Sequence, residues 1–244
     1  MHIIASNYSN NSLALIQWAA EHSLRDVSVC HIDTGWSGKG WDNHVSRAAA
    51  YVASKDFKVV PLKPRAGFED LMLIKHGFPN QKHQWCGLHL KGITLLQWLD
   101  DIDPAAKAIL LFDKCLGGSD TAIPEFIERS EYHGERKVWH PLYRHNIMER
   151  DTLLARAGFT PLTHRSRECH PCINSTVMDL RHLSERDIAK TEELEEELGA
   201  YMFPPECCGE ARGIRAVVKW AREAARPDAL QLKFGCSADF GCGS

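Results

Sequence analysis

The sequence has no long apolar segment and almost no net charge. No apolar run in its 244 residues approaches the roughly 18 residues that a membrane-spanning helix needs. The formal net charge of −3 gives no indication of a nucleic-acid or membrane surface as partner. The composition lacks the low hydrophobicity and high net charge of disordered proteins, and the N-terminus lacks the basic and apolar pattern of a secretion signal. These absences predict a folded cytoplasmic protein without a membrane span.

Cysteine, by contrast, is abundant, with nine residues in the chain. An odd number does not suit a scaffold of paired disulfides, and a reducing compartment disfavours disulfides altogether. Three cysteines lie singly in the first half, and six lie in pairs at positions 169/172, 207/208 and 236/242. Clustered thiols in a cytoplasmic protein indicate metal, iron–sulfur or redox chemistry.

Short apolar strands alternate with amphipathic helices through the first 115 residues. Periodicity predicts strands at 3–5, 27–32, 58–62 and 108–112, and helices from residue 13, over 42–55 and over 88–99. This alternation is typical of an α/β protein with a mostly parallel, twisted sheet and helices on both faces. Ligands of such sheets bind at the carboxyl ends of the strands. The polar turns 6–12, 33–40 and 113–121 would therefore converge on one crevice.

The pattern changes beyond about residue 137. It predicts an extended stretch at 138–143, a helix over 147–157, and charged helices over 185–198 and 212–225. An irregular basic loop with two thiols occupies 165–172, and a glycine-rich tail begins at 234. We therefore expect an α/β domain at 1–165 and a Cys-rich, mainly helical C-terminal region at 166–244 with a mobile tail.

The turn at residues 6–12 is rich in hydroxyl and amide side chains. It holds three serines and three asparagines immediately before a helix. Free N–H groups at a helix N-terminus bind anions, and Ser12 is placed either to cap the helix or to contact a phosphate. The alternative is an ordinary polar turn in which a serine or an asparagine caps the helix.

This turn resembles the modified P-loop of the adenine nucleotide alpha-hydrolase-like (PP-loop) superfamily, which includes sulfonucleotide reductases and ATP pyrophosphatases. Aligning the pyrophosphatase motif Ser-Gly-Gly-x-Asp-Ser on its last serine places Tyr8 and Ser9 at the glycines and Asn11 at the aspartate. Since the glycines and the carboxylate are missing, the turn is more similar to the degenerate, Ser-rich loop of the reductases. The resemblance implies a phosphate-binding turn, and its ligands would be Ser6, Ser9, Asn11 and Ser12.

Two further segments resemble the phosphoadenylyl-sulfate reductases. Asp33-Thr34-Gly35 is similar to the Asp-Thr-Gly that lines their nucleotide site, where Asp33 would orient the nucleotide or a cation. Residues 85–91 (Trp-Cys-Gly-Leu-His-Leu-Lys) are similar to their Trp-Cys-x-x-x-Leu-Lys segment, which would bring Lys91 to phosphate or sulfate. If the resemblance to the family is set aside, the alternatives are that Asp33 is a turn-forming residue and that Lys91 is a solvated lysine on a helix.

Cys169 and Cys172 form a C-x-x-C pair in a loop that also carries Arg165 and Arg167. Two thiolates at this spacing can hold one metal ion or cluster, because a tight turn points both sulfurs inward. The same spacing also suits dithiol redox chemistry. The chemistry of this pair therefore depends on which other thiols lie near it.

The resemblance suggests those thiols. Assimilatory adenylyl-sulfate reductases hold a [4Fe–4S] cluster with a tandem Cys pair, a gap of similar length and a C-x-x-C. Cys86 matches the first tandem cysteine, and Gly87 stands at the second. We choose Cys208 narrowly over Cys207 as the fourth ligand, since thiolates from distant segments can share a cluster. Zinc on the same four thiolates and buried unligated thiols are the alternatives.

The tail carries a Cys-Gly pair at residues 242–243. Sulfonucleotide reductases end in a mobile Glu-Cys-Gly-x-His segment, whose cysteine attacks the sulfur of the bound sulfonucleotide. The resemblance implies that Cys242 is the catalytic nucleophile and that Cys236 is the resolving thiol. This chain lacks the glutamate and histidine of that segment, and an exposed or metal-capping pair is the alternative.

Together these resemblances imply an oxidoreductase of the phosphoadenylyl-sulfate reductase family, acting in sulfur transfer or sulfonucleotide reduction. It would bind an adenine nucleotide (PAPS, APS or ATP) beside the cluster, with its phosphate or sulfur end directed towards Lys91, Arg165 and Arg167. A thioredoxin-like electron donor and a homo-oligomer are the expected partners. The alternatives are a PP-loop ATP pyrophosphatase that activates nucleic acid for sulfur insertion, and a non-catalytic, metal-stabilised nucleotide-binding protein.

Overall fold

The computed structural model describes residues 1–80, 84–115 and 124–223. Its strands are β1 (His2–Ala5), β2 (Val27–Ile32), β3 (Lys58–Leu62), β4 (Ile109–Leu111), β5 (Phe126–Ser130) and β6 (Arg136–Trp139). Its α-helices are α1 (Asn10–Glu21), α2 (Trp41–Ala53), α3 (Phe68–Lys75), α4 (Ile93–Ile102), α5 (Ile147–Arg156), α6 (Val177–Arg181), α7 (Glu185–Leu198) and α8 (Ile214–Glu223). A π-helical segment, Gly87–Gly92, leads into α4. Within these residues, no helix is both long and apolar enough to cross a membrane.

The six strands form one sheet in the order β3-β2-β1-β4-β6-β5. Every neighbouring pair is parallel except β5 and β6, which are antiparallel. The chain runs outward from β1 to β3 and then returns to the other side of β1 with β4. The carboxyl ends of β1 and β4 therefore flank a topological switch point, where doubly wound sheets bind ligands. The prediction of an α/β protein with a mostly parallel sheet is confirmed.

Helices cover both faces of this sheet, because alternate strand residues point in opposite directions. Ile4, Val29 and Leu111 pack on one face against apolar residues of α1, α2 and α5. Ile3, Cys30, Val60, Leu110 and Val138 pack on the other face, with Leu95 and Leu99 of α4. Both faces of the central strands are thus buried, as their continuous apolar sequences require.

A separate apolar cluster lies around the C-terminal helices. Val177, Leu194 and Val217 of α6, α7 and α8 pack there with Trp36 and Phe68, whose rings stack with centroids 4.9 Å apart. This cluster joins residues from both sides of the predicted boundary at residue 165. The two-region division itself stays a prediction, and the tail from residue 224 lies outside the described residues.

Candidate functional site

The turn after β1 is held together by its own side chains. Helix α1 begins at Asn10, and Ser9 is its N-cap, since the Ser9 hydroxyl accepts the backbone N–H of Ser12 at 3.4 Å. The suggestion that Ser12 caps the helix is therefore wrong. Ser12 lies in the first turn of the helix, and its hydroxyl donates to Oδ1 of Asn7, which precedes the helix, at 3.0 Å.

The other predicted phosphate ligands of this turn also have partners within the protein. Ser6 Oγ accepts the backbone N–H of Tyr8 at 3.1 Å, and Asn11 Oδ1 accepts a hydrogen bond from Arg150 Nη1 at 3.1 Å. The side chains of Ser6, Ser9, Asn11 and Ser12 are all buried. These bonds stabilise the turn, and phosphate binding by its side chains stays a prediction.

Asp113 follows β4 and faces this turn across the switch point. Ser9 Oγ donates to Asp113 Oδ2 at 3.4 Å, although the two residues lie 104 positions apart. Asp113 is buried, and its burial raises the pKa of the carboxyl group to about 6. Sequence reasoning did not single out Asp113 as a site residue, and its position at the end of a parallel strand was the available signal.

The loop after β2 pairs with the basic Cys loop. The backbone N–H of Gly38 donates to Arg167 O at 2.8 Å, that of His170 to Trp36 O at 2.8 Å, and Thr34 Oγ1 donates to Glu168 O at 2.6 Å. Asp33, however, is exposed and accepts the backbone N–H of Gly35 at 3.0 Å, as a turn-forming aspartate does. The two loops thus form one continuous wall beside the carboxyl edge of the sheet.

A cleft of about 670 Å³, including its open mouth, lies behind this wall. We call it the thiol cleft. It brings together seven predicted site residues, which are Thr34, Cys86, Lys91, Arg165, Arg167, Cys169 and Cys172. Ser6 lines a smaller adjoining cavity, and Ser9 and Asn11 line a third one, which shares Arg165 with the thiol cleft. The turns after β1 and β2 thus line three neighbouring hollows instead of one crevice, and residues 116–121 of the predicted third turn lie outside the described residues.

Two buried polar atoms in the wall of the thiol cleft lack partners. Among the described residues, neither Arg167 Nε nor Asn174 Oδ1 has a hydrogen-bond partner. The rest of Asn174 is anchored, since its carbonyl accepts from Arg165 Nη1 at 2.7 Å and its Nδ2 donates to Gln84 Oε1 at 3.5 Å. A buried polar group without a partner costs about 1–3 kcal/mol. The wall therefore offers a guanidinium donor and an amide acceptor to a bound molecule.

Lys91 is buried and forms an ion pair with Glu168 Oε1. Its interpretation as a solvated helix lysine is therefore wrong. Glu168 Oε1 also accepts the Ser166 hydroxyl at 3.5 Å. The ammonium thus lies in the wall of the cleft, as the resemblance implies, but a carboxylate of the protein already contacts it.

Cys86, Cys169 and Cys172 line the cleft and are partly accessible. Cys172 Sγ accepts the backbone N–H of Asn174 at 3.4 Å. His170 stands between Cys169 and Cys172 in the sequence. Its burial lowers the pKa of the imidazole to about 4, so that the ring is neutral at pH 7. Thiolate sulfur suits both iron–sulfur clusters and zinc. Across the described ranges, however, no three His, Cys, Asp or Glu side chains are grouped closely enough to hold a metal ion.

No protein-family model matches the chain, and no curated protein matches it. Among solved structures it is similar to the phosphate complex of phosphoadenylyl-sulfate reductase from Candida auris. The two chains are 13% identical and superpose with a TM-score of 0.47, over 66% of this chain and 74% of that chain. The likeness is one of backbone arrangement.

Cys208 is the proposed fourth thiol. It is buried in the C-terminal apolar cluster, against which Cys86, Cys169, Cys172 and Cys207 also pack, and its burial raises the pKa of the thiol to about 12. It is not among the described residues that line the thiol cleft. Cys242, the predicted nucleophile, and Cys236 fall outside the described residues. The roles of these thiols as fourth ligand, nucleophile and resolving thiol stay predictions.

Proposed function

We propose that this chain is an oxidoreductase of the phosphoadenylyl-sulfate reductase type, which binds an adenine nucleotide at the carboxyl edge of its sheet. One observation carries the proposal: Lys91, Arg165 and Arg167 line the same cleft as three cysteine thiols. Cationic side chains bind the phosphate or sulfate oxygens of a substrate, and a protein thiol beside them can attack the sulfur of a sulfo group. The position of the cleft, beside the β1–β4 switch point, suits a nucleotide.

The unpartnered Arg167 Nε supports binding of an anion in this cleft. A guanidinium binds phosphate and sulfate oxygens through charge-assisted hydrogen bonds, which are the stronger kind. In the proposed orientation the nucleotide lies over the turns after β1 and β2, and its phosphate- or sulfur-bearing end faces Arg167. Asn174 Oδ1 then accepts from a hydroxyl or amino group of the same ligand.

The proposed reaction is thiol-dependent reduction of the sulfonucleotide. A cysteine thiolate, for which Cys242 is the candidate, attacks the sulfur of the sulfo group. The S–O bond to the phosphate breaks, and the nucleotide leaves with that electron pair. A thiol from a thioredoxin-like donor then attacks the cysteine sulfur, releasing sulfite and forming a disulfide, so that two thiols supply the two electrons.

Cys86, Cys169 and Cys172, with Cys208 as the proposed fourth ligand, are the candidate ligands of a [4Fe–4S] cluster, and zinc is the alternative. When bound, the cluster would tune the charge around the sulfo group. Anaerobic purification followed by iron and sulfide analysis tests this part. A colourless protein with stoichiometric zinc would exclude the cluster and leave nucleotide binding to be judged separately.

Calorimetric titration with APS, PAPS, AMP and ATP tests the nucleotide site. We expect adenine nucleotides to bind, and Arg167→Gln to weaken binding by about 10-fold to 150-fold, because a hydrogen bond to a charged group contributes about 1.5–3 kcal/mol. Arg129→Gln, at an exposed ion pair on β5, is the matched control and should leave affinity unchanged. Sulfite release from APS or PAPS with a dithiol donor tests turnover. Absence of nucleotide binding would overturn the proposal, and pyrophosphate release from ATP would favour the pyrophosphatase alternative.

A further inference from the structure

The Lys91–Glu168 ion pair separates two cavities. Both residues line the thiol cleft, and both also line a smaller cavity over the turn after β1, which we call the turn cavity. The turn cavity is otherwise walled by Ser6 and Asn7, together with residues of β1 and β2. The side chains of Lys91 and Glu168 are only 7% and 6% exposed. A ligand that extends from the turn to the thiols therefore meets this pair.

Glu168 gives the Lys91 ammonium a negatively charged oxygen partner, as a phosphate or sulfate oxygen of a ligand would. Its side chain is held by the Ser166 hydroxyl at 3.5 Å, and its backbone carbonyl is fixed separately by Thr34 Oγ1 at 2.6 Å. The carboxylate can therefore turn away from Lys91 while the loop stays in place. Because a buried charge is stable only when it is paired, an anion that enters the cleft and contacts Lys91 can take the place of the Glu168 carboxylate.

The surroundings of the pair favour such an exchange. Arg165 and Arg167 belong to the same loop as Glu168 and line the thiol cleft. A displaced carboxylate therefore stays close to positive charge. The cleft that would receive a phosphate or sulfate is also lined by Lys91 and by Arg167, whose Nε has no hydrogen-bond partner among the described residues.

We infer that Glu168 is an internal competitor for the anion site and lowers the affinity of the cleft for phosphate and sulfate. In the ligand-free protein it occupies Lys91 and closes the passage between the thiol cleft and the turn cavity. A phosphate- or sulfate-bearing ligand displaces it and joins the two cavities. The inference rests on the proposed function in taking such a ligand at this site.

The test replaces the competing charge and measures binding of inorganic phosphate and sulfate by calorimetry at constant ionic strength. Glu168→Gln keeps the size of the side chain and an oxygen for Lys91 and Ser166, but removes the negative charge. We expect both anions to bind about tenfold more tightly to this variant, and adenosine, which has no anionic group, to be unaffected. Glu128→Gln, which removes an exposed carboxylate paired with Lys137, should leave the affinities unchanged.

A second variant keeps the test independent of the folding of the first. Ser166→Ala removes the hydroxyl that holds Glu168 Oε1 and leaves the ion pair, so that phosphate affinity should rise about twofold to threefold. Unchanged or weaker phosphate binding in the folded variants would overturn the inference. Nucleotide binding that is equal in wild type and both variants would overturn the inference and leave the proposed function standing. Tighter phosphate binding without nucleotide binding would support the inference and overturn the proposed function.

Discussion

Replacing Asp113 by asparagine should stabilise the protein above about pH 6 and change it little at pH 4. Asp113 is only 5% exposed, and the Ser9 hydroxyl at 3.4 Å is a hydrogen-bond donor to its carboxylate. Burial raises the pKa of its carboxyl group from 3.8 to about 6 in the folded protein. The folded state therefore holds this proton more tightly than the unfolded state does.

The sign and the size of the effect follow from that difference in pKa. A group whose pKa is raised by folding contributes stability below its unfolded pKa of 3.8, and this stability is lost as pH rises through about 6. One pKa unit corresponds to about 1.4 kcal/mol, so the loss reaches about 3 kcal/mol at pH 8. Asp113→Asn cannot ionise and keeps an oxygen that can accept from Ser9. Relative to wild type it should gain about 2.5 kcal/mol between pH 4 and pH 8.

Urea unfolding of both proteins at several pH values between 4 and 8 measures this difference. Subtracting the two curves removes the contribution of all other titrating groups that the substitution leaves alone. Asp101→Asn, at an exposed carboxyl group of α4, is the control for the loss of one carboxylate at the surface. A constant difference between Asp113→Asn and wild type across this pH range would refute the reasoning, because Asp113 would then titrate alike in both states.

Three other perturbations test the packing of the fold and the site. Arg136→Met should cost about 3–5 kcal/mol in urea unfolding, because the buried Asp103 carboxylate loses its cationic partner and keeps only two backbone N–H donors, whereas the exposed Arg129→Met should cost less than about 1 kcal/mol. Gly38→Ala should destabilise by about 1–3 kcal/mol, since its Cβ would lie 2.9 Å from the His170 ring, and Gly77→Ala, with open space around it, is the control. Alkylation of the metal-free protein with iodoacetamide, read by peptide mass spectrometry, should modify the partly accessible thiols before the buried ones. Modification of the buried thiols in the folded protein would contradict the structure. The first set is Cys86, Cys169 and Cys172, and the second is Cys30 and Cys208.

Strand β2 could be predicted because it is buried on both faces and its sequence is apolar along most of its length. The prediction for 58–62 also coincides with β3, which lies at the other edge of the sheet but keeps the apolar run Val59-Val60 in its middle. Strand β5 was not predicted, since it lies at the edge of the sheet and carries exposed charged residues such as Glu128 and Arg129. Helices α3 and α6 were not predicted because they have only eight and five residues, too few for a clear period.

The location of the site could be predicted from the sequence, but the contacts between its side chains could not. Strand order and polar strand ends indicate where segments converge, because parallel strands end at one edge. The contacts between side chains depend on how the loops pack against one another. Residues that are far apart in the sequence form these contacts, so no local sequence pattern reveals them. Lys91 and Glu168 lie 77 residues apart, and nothing in either segment marks Glu168 as the partner. Asn174 was missed for the same reason, since an unpartnered buried oxygen is a property of packing.

Tyr8 shows that a mismatch in residue type does not exclude the same backbone conformation in this turn. It stands where the aligned motif has its first glycine, which counts as a mismatch, yet its backbone φ of +54° lies in the left-handed region that glycine favours. A left-handed conformation costs a residue other than glycine about 1–2 kcal/mol. The ring of Tyr8 is fully buried and stacks on His31 with centroids 4.9 Å apart. Burial of the ring contributes about 1.5–3 kcal/mol, but the Tyr8 hydroxyl is also buried and has no hydrogen-bond partner among the described residues, which costs about 1–3 kcal/mol. The turn after β1 nevertheless forms without glycine, and the Ser6 hydroxyl, which accepts the backbone N–H of Tyr8, helps to hold it.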